Sequence, residues 1–184
     1  MSPLEGSGAR TLQTGRLLLT PVSYGDIADL TRLKADPLVY GQMLGGVRQP
    51  TQVMLELAED LTFWSRNKAG MWMVRDAQTK EAHGLVGLHD RPDGRGIALR
   101  FAFTPQSRGR GLAREAAGAT LRHAHDRAGI PRVIAVAKEA NLSSRLVLGA
   151  IGMREIDAFD RNGDRVLVYE SLKHTVPLPS SERG

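Results

Sequence analysis

The 184-residue chain contains no cysteine. Disulfide scaffolds, cysteine nucleophiles and thiolate metal sites are therefore excluded. Aromatic residues make up 5% of the chain, with two Trp, three Tyr and four Phe, too few for a platform that stacks nucleic-acid bases. No apolar run reaches the length of a membrane span, and the N-terminus lacks the basic-then-apolar order of a secretory signal. The expectation is a cytoplasmic protein with no membrane partner. Nor is there a run of five or more basic residues, although 25 Lys and Arg against 20 Asp and Glu give a net charge of +5. Charge spread in this way suits an anionic ligand, and no nucleic-acid partner is expected. The competing reading, a basic ribosome- or RNA-binding protein, predicts steeply salt-dependent binding. His123 and His125 stand two apart on a predicted helix and do not share a face, so no metal is expected.

What is present fits one domain, which at this length buries roughly 70% of its unfolded surface. We place it at residues 11–174, between a disordered tail over 1–10 and a loose tail over 175–184. Arg16 to Val22 reads as a strand. A helix follows, with Asp26 as N-cap and Ile27, Leu30, Leu33 and Lys34 on one stripe. Thr51 to Lys68 is a long helix capped by Thr51, with Val53, Leu57, Leu61 and Trp64 on its apolar side. Met71–Arg75 and Ala82–His89 are two strands, the second with Gly84 and Gly87 marking a bulge or a close approach. Arg132–Lys138 is the most strand-like run, and Asn141–Gly149 a short helix. Met153–Phe159 and Arg165–Leu172 pair as a hairpin whose turn chemistry is Asn162-Gly163. Trp64 and Trp72 sit among apolar neighbours and read as core.

The chain is organised around residues 97–117. Ile97 to Phe103 is a buried strand that Pro105 ends. Gln106-Ser107-Arg108-Gly109-Arg110-Gly111 follows, and an Ala-rich helix starts at once, with Ala113, Ala117, Leu121, Ala124 and Ala128 as its narrow face. Strand, glycine turn and helix make an anion site: the backbone comes close, the first helical amides of Leu112 and Ala113 point at the ligand, and the dipole favours negative charge. Arg108 and Arg110 add forked cationic donors. The dinucleotide pattern fails because Arg114 stands where its third glycine belongs. The nucleotide P-loop fails because no Gly-Lys-Ser/Thr follows.

The remaining pattern, Gln106-x-x-Gly109-x-Gly111, resembles the pyrophosphate loop of the GNAT N-acetyltransferases. The longer string from Pro105 through Ala113, Glu115 and Ala116 is similar to the subgroup containing the ribosomal-protein N-terminal acetyltransferases. So is Asn141-x-x-Ser144, followed by Gly152-Met153. The resemblance implies an α/β fold, a GNAT-like mixed, mostly antiparallel central sheet flanked by helices, with its central strands splayed. It also implies acetyl-coenzyme A as cosubstrate and an amine acceptor, either a peptide N-terminus or a small molecule, with direct attack and no covalent enzyme intermediate. Cofactor-binding residues would be Phe101, Phe103, Arg108, Gly109, Arg110, Gly111, Leu112, Ala113 and Asn141. Backbone N–H groups near Phe101 to Phe103 would polarise the thioester carbonyl. Ser144 would be the catalytic residue beside the thiol sulfur. In plain structural terms Asn141 caps a helix and Ser144 helps it, and both roles can coexist. The resemblance leaves monomer and homodimer open. A non-catalytic coenzyme A-binding sensor is the alternative.

Chemistry narrows the acceptor. A free Lys side chain near pKa 10.4 is neutral about 0.04% of the time at pH 7, and an α-amine near 7.8 about 14%. The gap of ~2.6 units is worth roughly 3.5 kcal/mol, so a lysine needs a base far more. Many members of the resembled family carry a glutamate early on the central strand, where this chain has Ala98, and Arg100 replaces a small residue. His89, Asp90 and Glu139 are substitutes in principle, and no spacing singles one out. Transfer by positioning, to an amine of low pKa, fits this gap.

Overall fold

The structure is a computed structural model that describes residues 10–174. The expected tails fall outside the described residues except for Arg10. The Arg10 carbonyl accepts from Trp72 Nε1 at 2.7 Å, and its guanidinium stands 5.4 Å over the Trp64 ring. Eight strands form one sheet: β1 (Leu12–Gln13), β2 (Leu17–Pro21), β3 (Met71–Asp76), β4 (Ala82–Asp90), β5 (Ile97–Phe103), β6 (Arg132–Lys138), β7 (Arg154–Arg161) and β8 (Asp164–Leu172). Their order is β1-β2-β3-β4-β5-β6-β8-β7, and every neighbouring pair is antiparallel except β5–β6. The helices are α1 (Ile27–Ala35), α2 (Pro37–Tyr40), α3 (Pro50–Arg66), α4 (Leu112–Asp126) and α5 (Leu142–Ala150).

Met71 to Val74 and His83 to Leu88 are buried without interruption. Both faces of these strands are covered, so they read as apolar runs and not as alternation. Trp64 and Trp72 meet edge to face at 4.9 Å in the core, and Trp64 Nε1 donates to the Met71 carbonyl at 2.8 Å. The glycine irregularity in β4 is a close approach: a Cβ on Gly87 would stand 2.2 Å from the Gly70 carbonyl oxygen. β4 also carries a bulge: Val74 pairs with Gly84 and Arg75 with Ala82, so His83, next to Gly84, is the extra residue.

One expected cap moves. Proline is at home at the first helical position, and α3 starts at Pro50 with Gln49 as N-cap. Gln52 Oε1 accepts from Gln49 N at 2.8 Å, so Thr51 lies inside the helix. Asp26 is the N-cap residue of α1 as expected, but its carboxylate turns back from the helix. It accepts from the Ser23 N–H at 2.8 Å and closes the 3-10 turn Tyr24–Asp26. On α4 the buried face is Ala116, Ala117, Thr120, Leu121 and Ala124, while Ala113 and Ala128 are half-buried. The β7–β8 hairpin closes on Asn162 and Gly163, at φ 50° and 82°, the positive pair a tight hairpin turn requires.

The irregular place in the sheet is its middle. β5 and β6 pair through Ala98 and Ile134 alone and then diverge. The single parallel contact, with α4 as the crossover, opens a slot in the sheet toward the C-terminal end of β5.

Candidate active site

The end of β5 leads into a loop that is tied down from beneath. Ser107 is buried. Its hydroxyl lies 2.8 Å from His83 Nδ1 and 2.7 Å from Thr104 Oγ1, and Asp76 Oδ2 stands 3.7 Å from His83 Nε2. The order Ser–His–Asp suggests a nucleophile, but Ser107 is 3% and His83 4% exposed. A closed site of this kind clamps the loop to β4. Gly109 and Gly111 take φ 74° and 75°, and a Cβ on Gly109 would meet nothing within 4 Å, so the face of the loop is open. The first helical bond of α4 runs from Glu115 N to Gly111 O at 3.1 Å. The amides of Leu112, Ala113 and Arg114 therefore have no intrahelical partner.

Glu115 does more than complement the helix dipole. It accepts from Thr14 Oγ1 at 2.5 Å, Arg16 N at 3.0 Å and Arg16 Nε at 2.7 Å, while Arg16 Nη1 donates to the Arg110 carbonyl at 2.8 Å. Burial alone would raise its pKa, but these donors outweigh it and hold the carboxyl below its usual range. The β1–β2 turn is thereby stapled to the loop. Arg108 donates through Nη2 to the Leu38 carbonyl. Arg110 is exposed, and its side chain has no partner among the described residues.

A cavity of about 720 Å3 runs from the slot to α3. Thr104 N donates to His83 O at 2.9 Å, and the β4–β5 register continues that pairing through Ala102–Leu85 and Arg100–Gly87. Antiparallel alternation then turns the N–H groups of Phe101 and Phe103 away from β4, toward β6 and past the last paired residue. Phe101, Asn141 and Ser144 line this cavity; Phe103 is buried, and Arg108 to Ala113 lie beyond it on the loop and helix start. Asn141 is 9% exposed and is the N-cap of α5. Its Oδ1 accepts from Ser144 N at 3.3 Å and Ser143 Oγ at 3.1 Å.

The far half of the cavity holds a charge network. Lys34, 1% exposed, pairs with Glu56, which also accepts from Arg48 Nε at 2.6 Å. Arg48 lies 5.3 Å over the Tyr40 ring. Asp60 Oδ1 pairs with Arg100 Nη2 at 3.4 Å. Desolvation would raise the Glu56 pKa, but Lys34 and Arg48 pull it down to about 2. Burial raises Asp60 to about 6 against the opposing pull of Arg100 and Lys34. Burial also pushes the Tyr40 phenol up to about 12. His89, opposite Ala98 in the register, is lowered to about 3 by desolvation and then by Arg100, so it is neutral.

A family model described as an acetyltransferase (GNAT) domain matches residues 16–154. The chain belongs to the GNAT acetyltransferase family. Solved structures agree with this. A protein from Bordetella pertussis assigned to the same family superposes with a TM-score of 0.77 at 26% identity, covering 87% of this chain and 98% of its own. Spermidine N-acetyltransferase from Vibrio cholerae, solved with CoA and spermine, gives 0.72 at 19% identity, covering 87% and 97%. Ribosomal-protein-S5-alanine acetyltransferase from Vibrio fischeri gives 0.74 at 14% identity, covering 89% and 96%. The last two share the fold. No curated protein matches the chain.

Within this GNAT domain the candidate bases named from sequence scatter. Asp90 is exposed at the end of β4, and Glu139 is exposed, 3.8 Å from Arg165. Each histidine of the 123/125 pair has protein partners: His123 Nε2 lies 3.0 Å from the Lys68 carbonyl, and His125 contacts the Ile130 carbonyl and Ser171. The sequence reading missed Glu56 and Asp60. A signal for Asp60 was available. It stands seven residues after Val53 and four before Trp64, on the apolar stripe of α3, where Leu61 was expected and is only half-buried.

Proposed function

We propose that this domain transfers the acetyl group of acetyl-coenzyme A to an amine of low pKa, a peptide N-terminal α-amine or a small-molecule amine. The observation that carries this reading is the slot beside Ala98, with the unpaired amides of Phe101 and Phe103 on its edge and Asn141 and Ser144 at its end. The residues fit such a ligand. The open loop at Gly109 and Gly111, the first amides of α4 and the unpartnered Arg110 suit a diphosphate. Arg108 would contribute after leaving the Leu38 carbonyl. The Asn141 amide suits the polar arm that runs through the slot.

When bound, the cosubstrate supplies an acetyl group activated as a thioester. The chain's own part is to hold and polarise. The Phe101 and Phe103 amides are fixed donors for a carbonyl oxygen, aimed before any charge develops there. The cavity holds the amine in line with that carbonyl and keeps bulk water out. Ser144 offers a hydrogen bond to the departing sulfur. A thiol near 8.5 leaves readily as thiolate, so full proton donation is not required.

Thiol release measured against a panel of amines tests the proposal. Peptides with a free N-terminus or small amines of pKa about 8 should turn over faster than Nα-blocked lysine peptides. Tight acetyl-coenzyme A binding with no release for any amine would favour a sensor. A steady rate on lysine with none on α-amines would reverse the acceptor class.

A further inference from the structure

Acetyl transfer to an amine releases one proton from nitrogen, and the cavity must send it somewhere. The carboxylates, the histidine and the tyrosine that line it can be taken in turn; Lys138, also in the lining, is paired with Asp164 at 2.9 Å. Glu56 is locked between Lys34 and Arg48. Glu59 and Asp90 are exposed at the rim, where water competes. His89, lowered to about 3 by burial and then Arg100, is too weak a base to hold the proton, and Tyr40 keeps its own. That leaves Asp60. It lines the cavity at 4% exposure, uses Oδ1 on Arg100 at 3.4 Å, and has no hydrogen-bond partner for Oδ2 among the described residues.

The placement follows from the fold. Arg100 and Ala98 are two apart on β5 and so share a face. The Arg100–Asp60 contact identifies that face as the one under α3. Asp60 therefore reaches, from the helix, the side of β5 on which Ala98 leaves no carboxylate. We propose that Asp60 is the catalytic proton acceptor of this domain, taking the proton that the attacking amine gives up; this rests on the transferase reading above. The nitrogen lone pair forms the bond to the acetyl carbonyl carbon and the carbon–sulfur bond breaks. The electron pair leaves on sulfur, the nitrogen proton goes to Asp60 Oδ2, and water then carries that proton away.

The groups around Asp60 set its readiness. Tyr40 on α2, Arg48 in the following loop, Glu56 and Glu59 on α3, His89 on β4 and Arg100 on β5 line this half of the cavity, and Lys34 on α1 is buried against Glu56. Burial outweighs the two cations and raises Asp60 to about 6. It is thus ionised at neutral pH and still basic enough to accept. An α-ammonium near 7.8 lies about 2 pKa units above it and a lysine near 10.4 about 4, so the pair favours the α-amine.

The experiment is a pH profile of kcat/KM with the best amine of the panel, for wild type and Asp60→Asn, alongside acetyl-coenzyme A affinity by calorimetry. Wild type should lose activity as the pH falls through about 6. Asp60→Asn should be slower by about 100-fold or more, lack that acidic limb and bind acetyl-coenzyme A within about twofold of wild type, while Asp60→Glu recovers part of the rate. Carbon-13 titration of the aspartate carboxyls in wild-type protein without cosubstrate gives a readout that needs no turnover. The Asp60 signal should titrate at the pH of the kinetic limb. A folded Asp60→Asn that keeps the wild-type rate, or keeps the limb, overturns the assignment. If that variant does not fold, a wild-type limb more than about one pH unit from the Asp60 titration overturns it. Failure at Asp60 alone leaves the transferase reading standing. A wild type that binds acetyl-coenzyme A and releases no thiol with any amine removes both.

Discussion

Placing a methyl group on the glycine loop separates binding from folding. Gly109 and Gly111 sit at φ 74° and 75°, and an added Cβ would meet nothing within 4 Å at Gly109 and Arg16 Nη2 at 3.7 Å at Gly111. Alanine therefore fits sterically at both sites. The strain of a left-handed conformation costs about 1–2 kcal/mol per residue, against a total of about 5–15 kcal/mol for a domain. Each single variant should fold. The methyl group, however, occupies the open face where a diphosphate would approach. Losing one charge-assisted hydrogen bond there costs about 1.5–3 kcal/mol, a rise of about 10- to 100-fold in Kd for acetyl-coenzyme A. Gly129→Ala is the matched control: its φ is 70°, its added Cβ also meets nothing within 4 Å, and it lies beyond the other end of α4. It should lose the same stability and no affinity. Calorimetric titration and thermal melts on the three variants decide the matter. If Gly109→Ala and Gly111→Ala bind as wild type does, or Gly129→Ala weakens binding equally, the anion-loop argument fails.

Further outcomes follow from the geometry. Glu56→Gln strands Lys34 at 1% exposure without its partner, which should cost about 3–5 kcal/mol and lower Tm by about 10 °C. Because Glu56 is depressed to about 2 in the folded protein from an ordinary 4.5, its stabilisation is complete above pH about 4.5 and is lost as pH falls toward 2. Melting curves between pH 6 and pH 3 should show this slope in wild type and a shallower one in the variant. Ser144→Ala should lower kcat by less than about tenfold, because the leaving thiolate needs only a hydrogen bond. Asn141→Ala should cost about 1 kcal/mol in stability through the lost cap, and acetyl-coenzyme A affinity as well. A larger loss of kcat at Ser144 than at Asp60 would make departure of the thiol, not removal of the amine proton, the more demanding step.

The donor half of this site is written in short stretches of sequence, and that is why it was legible. Pro105 ends β5, Gly109 and Gly111 supply positive φ, and alanines let α4 lie close to the sheet, all within about one strand and one helix. The slot itself was reached through resemblance, since no local pattern states that β5 and β6 part after Ala98 and Ile134. The cap at Thr51 was misplaced because Pro50 suits the first helical position and moves the cap to Gln49, while Asp26 keeps the N-cap position of α1 and spends its side chain on Ser23. The clamp on Ser107 was invisible for a different reason: its partners, His83 and Asp76, lie on other strands.

The acceptor half is assembled from Lys34, Tyr40, Arg48, Glu56, Asp60 and Arg100, drawn from three helices, a loop and a strand. No window of sequence contains it, yet α1 and α3 each carry a local sign of it. Lys34 continues the apolar stripe of α1, and Asp60 occupies a stripe position on α3 where leucine would pack. Each is a polar group on a face that folding alone would make apolar. Stability does not explain them, since a buried ion pair replaced by well-packed apolar side chains is often neutral or stabilising. Packing does not explain them either, because the Tyr40 hydroxyl and Arg100 Nε are buried with no hydrogen-bond partner among the described residues. Charges that cost the fold and gather at a cavity fit the amine chemistry proposed above. Arg100 keeps Asp60 ionised in an interior that would otherwise protonate it, and burial keeps that carboxylate basic. With Asp60 as the proton acceptor proposed above, that balance would let a chain without a strand glutamate remove a proton.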